Sequence, residues 1–389
     1  MIKRILIHSN GPHVPTGYGN QVAAFAPLLR DAGYEVYISC FYGLEGAQLT
    51  MKGINLLPKG RDGYGNDIVG EHAKRYEVDL IWTLIDAWVL QGDWLQQHST
   101  ACWAPIDHEP IPAQVAEALK ACRWPVAYSR FGEQQMKAAG LNASYVPHGI
   151  NTEFYCPQDR ADARQKWGVD EQAFFAVMVA ANKGVPARKS LDRVIKAWAT
   201  FAPAHPGAVL YMHSLPLPLN SGLNLVEMAR FYGCEDSLRF PDTARMLAGE
   251  YSERALLDLY NAADVLLAPS MGEGFNIPLV EAQACGCPVI ATDFTAHREL
   301  IFGGYRLPVE WQDRVWTFQD SEQCQVKPSA IVTGLEWAFE HRGDVALRVA
   351  ARAGAVEYDA RNVFTEYMQP LLKRIGEEVE ADRARTHSE

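Results

Sequence analysis

Glu273 and Glu281 are separated by seven residues in the stretch EGFNIPLVE, which lies between two apolar runs, VLLAPS and PVIATD. Pro278 suits a first helical turn and Gly286 a helix end, so IPLVEAQACG reads as a helix with Glu281 about one turn inside it. Glu273 stands just ahead of that helix. The amides of Gly274, Phe275 and Asn276 can then meet a phosphate at the helix N-terminus. Carboxylates repel phosphate and accept from hydroxyls instead, so the two glutamates suit a sugar and a ribose at the two ends of a nucleotide-sugar site. The alternative is that both are solvated charges favoured by the helix dipole.

Three other clusters can do chemistry. Arg188 and Lys189 follow a loop and are expected to open an amphipathic helix whose apolar residues are Leu191, Val194, Ile195 and Trp198. Cations at a helix N-terminus oppose its dipole, so either a bound anion or plain solvation accounts for them. In SNGPHVPTGYGNQV, Gly17 and Gly19 open a helix that runs to about Asp31, a candidate phosphate loop that matches neither G-x-G-x-x-G nor a Walker motif. A structural glycine turn explains it equally well. Asp107 and His108 follow the strand TACWAPID; they either face a cleft, where they can bind a hydroxyl or handle a proton, or cap and pack the turn.

These clusters all follow β-rich runs. RILIHS, EVYISCF, DLIWTLID, TACWAPID, PVAYS and SYVPHG alternate with helical patterns in the first half, and FFAVMVAAN, AVLYMHS, SLRFP, DVLLAPS, PVIATD and YRLPV do so in the second. That alternation predicts an α/β fold of two doubly wound Rossmann-like units, with ligands at the carboxyl ends of the strands. The 389 residues suffice for two cores. GINTEFYCPQDRADARQKWGVD loses strand character and reads as the linker and hinge, which divides the chain into 1–160, 161–360 and a C-terminal helix, 361–389. In that last segment Val363, Phe364, Tyr367, Leu371 and Leu372 recur at helical spacing.

The net charge of −11 disfavours a broad nucleic-acid surface but leaves a local basic groove open. With neither a secretory leader nor a membrane-length apolar run, the chain is expected to be soluble and cytoplasmic. Its eight cysteines lack C-x-x-C spacing, and most are expected to be reduced core residues; no metal or redox role is expected for Cys285 and Cys287.

Together these residues make the chain resemble the retaining glycosyltransferases of family 4, which have the GT-B fold. The resemblance rests on the E-x7-E pattern of Glu273 and Glu281, EAQACGCPVIATD, TGYGNQ, VPHGINTEFYCP, the Arg188-Lys189 pair and LYNAADVLLAPS, ordered landmarks over nearly the whole chain. It implies sugar transfer from a nucleotide diphosphate sugar to an acceptor hydroxyl with retention, no cofactor and no metal. By position Glu273 would hold the donor sugar and Glu281 the ribose. Arg188 and Lys189 would hold the diphosphate, with the amides of Gly274, Phe275 and Asn276. The loop of Gly17, Tyr18 and Gly19 would close over the phosphates, and Asp107 or His108 would stand near the reacting carbon. The resemblance also implies that the C-terminal helix crosses back to the first domain. One departure is Asn182-Lys183 where the family often has another basic residue, so either Lys183 substitutes or the phosphate grip is weaker. A related epimerase or phosphorylase, and a sugar-nucleotide-binding protein without catalysis, are the alternatives. The acceptor stays open among glycan, lipid, protein and modified nucleobase, as do the donor's base and sugar and the oligomeric state.

Overall fold

The computed structural model describes residues 2–386, which form two units, one of residues 2–151, 318–321 and 358–386 and one of Thr152–Thr317 and Glu322–Glu357. The first unit is built on an eight-stranded sheet: β1 Arg4–Asn10, β2 Glu35–Tyr42, β3 Leu49–Met51, β4 Ile54–Leu57, β5 Leu80–Leu84, β6 Thr100–Ala104, β7 Trp124–Ala127 and β8 Ser144–Tyr145. The spatial order is β3-β4-β2-β1-β5-β6-β7-β8, parallel throughout except for the β3–β4 pair. The chain builds outward from β1 on one side, then returns to add β5 on the other, so the order reverses between β1 and β5.

The second unit repeats this plan with β9 Phe175–Val179, β10 Val209–His213, β11 Leu238–Arg239, β12 Val265–Ala268, β13 Val289–Thr292 and β14 Gly304–Leu307. Its parallel order is β11-β10-β9-β12-β13-β14, and the reversal falls between β9 and β12. A separate antiparallel pair, β15 Arg314–Trp316 and β16 Glu322–Cys324, follows. β5, β6, β7, β12 and β13 are buried along their whole length, as strands covered on both faces must be. Trp198 and Phe201 of the helix Leu191–Phe201 fill the core over β9 and β10.

The chain leaves the first unit between Asn151 and Thr152, ahead of residue 160, and the linker stretch contains a helix, Arg160–Lys166, anchored in the second unit. Buried Arg164 of that helix donates to Asp264 at 2.7 Å and to the carbonyls of Asp170, Glu171, Ala173 and Ala262. Residues from Tyr358 belong to the first unit. There Ile150 bridges to Asp359, Trp124 donates to Glu378 at 2.8 Å and Arg374 donates to Ser144 at 2.6 Å.

Most cysteines are free, as expected, with one pair excepted, and one expectation about a helix start needs correction. Cys102 on β6 and Cys122, just after the helix Ala113–Lys120, are joined by a disulfide, which two cysteines 20 residues apart did not reveal; the other six are free. Arg188 and Lys189 do not open a helix. Ser190, in left-handed conformation at φ 58°, occupies the N-cap position of the helix that begins at Leu191 without a side-chain capping bond, and the two cations lie on the turn before it. Among the described residues no helix is long and apolar enough to cross a membrane, and no group of three or more His, Cys, Asp or Glu is placed to hold a metal ion.

Candidate active site

In a doubly wound sheet the loops leaving adjacent strands at the reversal point part to opposite faces and leave a crevice. In the second unit these are the loops after β9 and β12. The first carries Lys183, Arg188 and Lys189, and the second carries Glu273, Gly274, Phe275 and Asn276. The Met271 amide donates to the Arg188 carbonyl at 2.8 Å and so ties the two loops together. Across them Arg188 Nη1 donates to Glu273 Oε2 at 3.1 Å and to the Gly272 carbonyl at 2.5 Å, while Lys189 Nζ donates to Glu273 Oε1. The Glu273 amide donates to Thr295 Oγ1 at 3.0 Å.

Burial alone would raise the Glu273 carboxyl, but the Lys189 and Arg188 cations hold it far below the usual carboxylate range. It is ionised, with two cations facing one carboxylate. Both cations reach the surface, since the Arg188 side chain is 42% exposed and that of Lys189 23%, against 7% for Glu273. Lys183 is exposed on the same loop and lies outside this cluster. Neighbouring Asn182 is a clamp: its amide donates to the carbonyls of Leu215 and Leu223 and accepts from the Leu223 amide.

The helix Ile277–Ala284 starts at Asn276, whose φ of 89° is left-handed and whose side chain does not cap the helix. That side chain turns instead to His297, with Asn276 Nδ2 2.9 Å from Nε2. His297 Nδ1 lies 3.0 Å from Thr292 Oγ1, and Thr292 donates to the Ser270 carbonyl at 2.9 Å. Burial lowers the His297 pKa to about 4, so the ring is neutral near pH 7. Thr292, Thr295 and His297 were missed in the sequence; the available signal was a histidine shortly after a strand that adjoins the reversal point.

Glu281, inside that helix, accepts from Tyr260 at 3.1 Å and also from the Tyr155 hydroxyl. Burial pushes its carboxyl up to about 7, against the lowering effect of the tyrosine hydroxyls. Glu273 and Glu281 are each 5% exposed, so neither is a solvated helix-start charge. One is fixed as an anion, and the other sits near the midpoint of its titration.

In the first unit the reversal point lies between β1 and β5. The loop after β1 leads to Thr16, whose hydroxyl accepts from the Gly19 amide at 3.1 Å and caps the helix Gly17–Asp31. A Cβ on Gly19 would lie 2.2 Å from the Val14 carbonyl oxygen, so this tight loop requires glycine there. Tyr18 donates to Asp86, just beyond β5, at 3.0 Å. Burial, then the Asp86 charge, raise the Tyr18 hydroxyl well above its ordinary pKa. Asp86 was missed in the sequence because it ends an apolar run in DLIWTLID with no companion motif. Asp107 and His108 bond to each other at 2.7 Å, with His108 buried and Asp107 partly open.

Residues 177–315 match the family model for glycosyl transferases group 1. A D-inositol 3-phosphate glycosyltransferase from Geodermatophilus obscurus is 32% identical over 152 residues, 38% of this chain and 32% of that protein, so the match spans about a third of the relative's length. Sucrose-phosphate synthase from Thermosynechococcus elongatus superposes with a TM-score of 0.75 at 17% identity, covering 97% of this chain and all of that one. Anabaena HepE, solved with UDP-glucose, superposes with a TM-score of 0.70 at 16% identity, covering 96% of this chain and all of that one. At such identities the structures establish the fold, and the family-model match lies in the second unit. Arg188, Lys189, Glu273, Glu281 and the Ser270–His297 network all fall within the matched segment, so the candidate site of this α/β chain, whose fold matches that of GT-B structures, lies in the part that is similar to group 1 glycosyl transferases.

Proposed function

We propose that the chain transfers a sugar from a nucleoside diphosphate sugar to an acceptor hydroxyl, with retention and without a metal ion, in the manner of family 4. The observation that carries this reading is buried Glu273 held between Arg188 and Lys189 at the reversal point of the second sheet. Arg188, Lys189 and the amides of Gly274, Phe275 and Asn276 meet the diphosphate, and they stabilise the charge that grows on it as the bond to the anomeric carbon breaks. Glu273 accepts from the donor sugar's hydroxyls. Glu281, fixed by two tyrosines, takes the ribose side. The acceptor oxygen bonds the anomeric carbon on the face the diphosphate leaves, and its proton passes to a diphosphate oxygen. On the first unit, the Gly17-Tyr18-Gly19 loop is assigned to phosphate and Asp107 and His108 to the acceptor hydroxyl; Lys183 is a reserve cation. A soluble, cytoplasmic setting belongs to the same proposal.

The test is turnover of UDP-glucose, GDP-mannose and related donors by the full chain in EDTA, against glycan, lipid, peptide and hydroxymethylated nucleobase acceptors. The anomeric configuration of the product is read by NMR. A glycoside of the donor's own configuration supports the reading. Release of nucleotide and free sugar regardless of acceptor points to an epimerase-like enzyme, and donor binding without turnover points to a binding protein; either result overturns it.

A further inference from the structure

The network behind Asn276 has only one consistent direction. The Ser270 carbonyl can only accept, so the Thr292 hydroxyl, 2.9 Å away, must spend its proton there. Thr292 Oγ1 must then accept from His297, which places the ring proton on Nδ1. A neutral ring with its proton on Nδ1 has a bare lone pair on Nε2, so Asn276 must turn its NH2 toward that nitrogen. The amide oxygen is thereby directed away from the histidine. Ser270, Thr292 and His297 are buried, whereas Asn276 is partly exposed, so this chain of hydrogen bonds reaches the surface at Asn276, immediately ahead of the helix Ile277–Ala284.

We infer that Asn276 is a specificity-determining residue that reads a donor-sugar hydroxyl through its amide oxygen, held in that orientation by Thr292 and His297. The inference rests on the donor site proposed above and deepens it. An amide oxygen only accepts. Against a phosphate oxygen, another acceptor, it gains nothing, whereas a sugar hydroxyl supplies the donor it lacks. The backbone amides at this helix start serve the diphosphate, and the side chain serves the sugar. His297 and Thr292 are positioning residues, since they act through Asn276. The left-handed backbone at φ 89° also favours a clean test, because glycine adopts it without strain and Asn276→Gly removes the amide while the turn persists.

Two measurements on the full chain test the inference. In the first, nitrogen-15 NMR of labelled histidine reports the His297 tautomer: the proton is expected on Nδ1 in the wild type, and the preference is expected to be lost in Thr292→Val. A proton on Nε2 in the wild type overturns the proposal. In the second, calorimetry with UDP, UDP-glucose, GDP and GDP-mannose gives the affinity of each sugar nucleotide relative to its nucleoside diphosphate. Asn276→Gly is expected to lower that ratio roughly tenfold, the effect of one lost hydrogen bond, with nucleoside diphosphate affinity within about twofold of wild type. Thr292→Val is expected to lower it in the same direction. Equal losses for nucleotide and sugar nucleotide, or an unchanged ratio, overturn the role of Asn276 and leave the donor site standing. If none of the four ligands binds the wild type, the donor site fails and this inference fails with it.

Discussion

Two buried glutamates eight positions apart differ in charge state because of what surrounds them. Glu273 has two cations within bonding distance and stays ionised, whereas Glu281 has two tyrosine hydroxyls and is driven up to about 7 by burial. The linked effects on stability have opposite signs. Glu281, raised above its ordinary 4.5, contributes stability that is fully present below 4.5 and lost as the pH rises through about 7. Glu273, held below 4.5, contributes stability that is present above that value and lost as the pH falls. Glu281→Gln keeps an acceptor for Tyr260 without the charge, so its stability relative to wild type should rise between pH 4.5 and 8. Glu273→Gln should lose stability at neutral pH and approach wild type in acid. Denaturant unfolding across pH checks both; parallel wild-type and variant curves would contradict the assigned charge states.

The elements that hold these residues depend on a few side chains buried for structural reasons. Arg164 joins the helix Arg160–Lys166 to Asp264 and four carbonyls, so Arg164→Ala leaves a buried carboxylate with less compensation and should cost about 3 kcal/mol in chemical denaturation. Gly19→Ala must push its loop off the Val14 carbonyl, with an expected loss of about 1–3 kcal/mol in the same measurement. The strand and helix succession was legible because β5, β6, β12 and β13 are mainly apolar runs closed by turn residues, and because the helix Leu191–Phe201 keeps its apolar spacing. The β3–β4 and β15–β16 pairs were not. β3 is three exposed residues and β15 three partly exposed or exposed ones, too short to show alternation. Arg188, Lys189, Glu273 and Glu281 were legible as residue types at loop and helix starts. Their partners were not, since Thr295, His297, Tyr155 and Tyr260 approach through tertiary packing that no local spacing records.

At the scale of the whole molecule, a ligand that binds only the folded chain stabilises it by mass action. A nucleoside diphosphate at about one hundred times its dissociation constant should add roughly 2.7 kcal/mol with EDTA present, seen as a raised unfolding midpoint. The most direct test of the central claim, that the Arg188-Lys189-Glu273 cluster is the diphosphate end of a donor site, is a calorimetric titration of UDP, GDP and ADP in EDTA. It compares the wild-type chain with the Arg188→Ala/Lys189→Ala variant, whose folding is confirmed by circular dichroism. The account predicts that at least one of these nucleotides binds the wild type and binds the folded variant at least tenfold more weakly. Binding of equal strength to both proteins, or binding to the wild type that appears only when magnesium or manganese is restored, would contradict it.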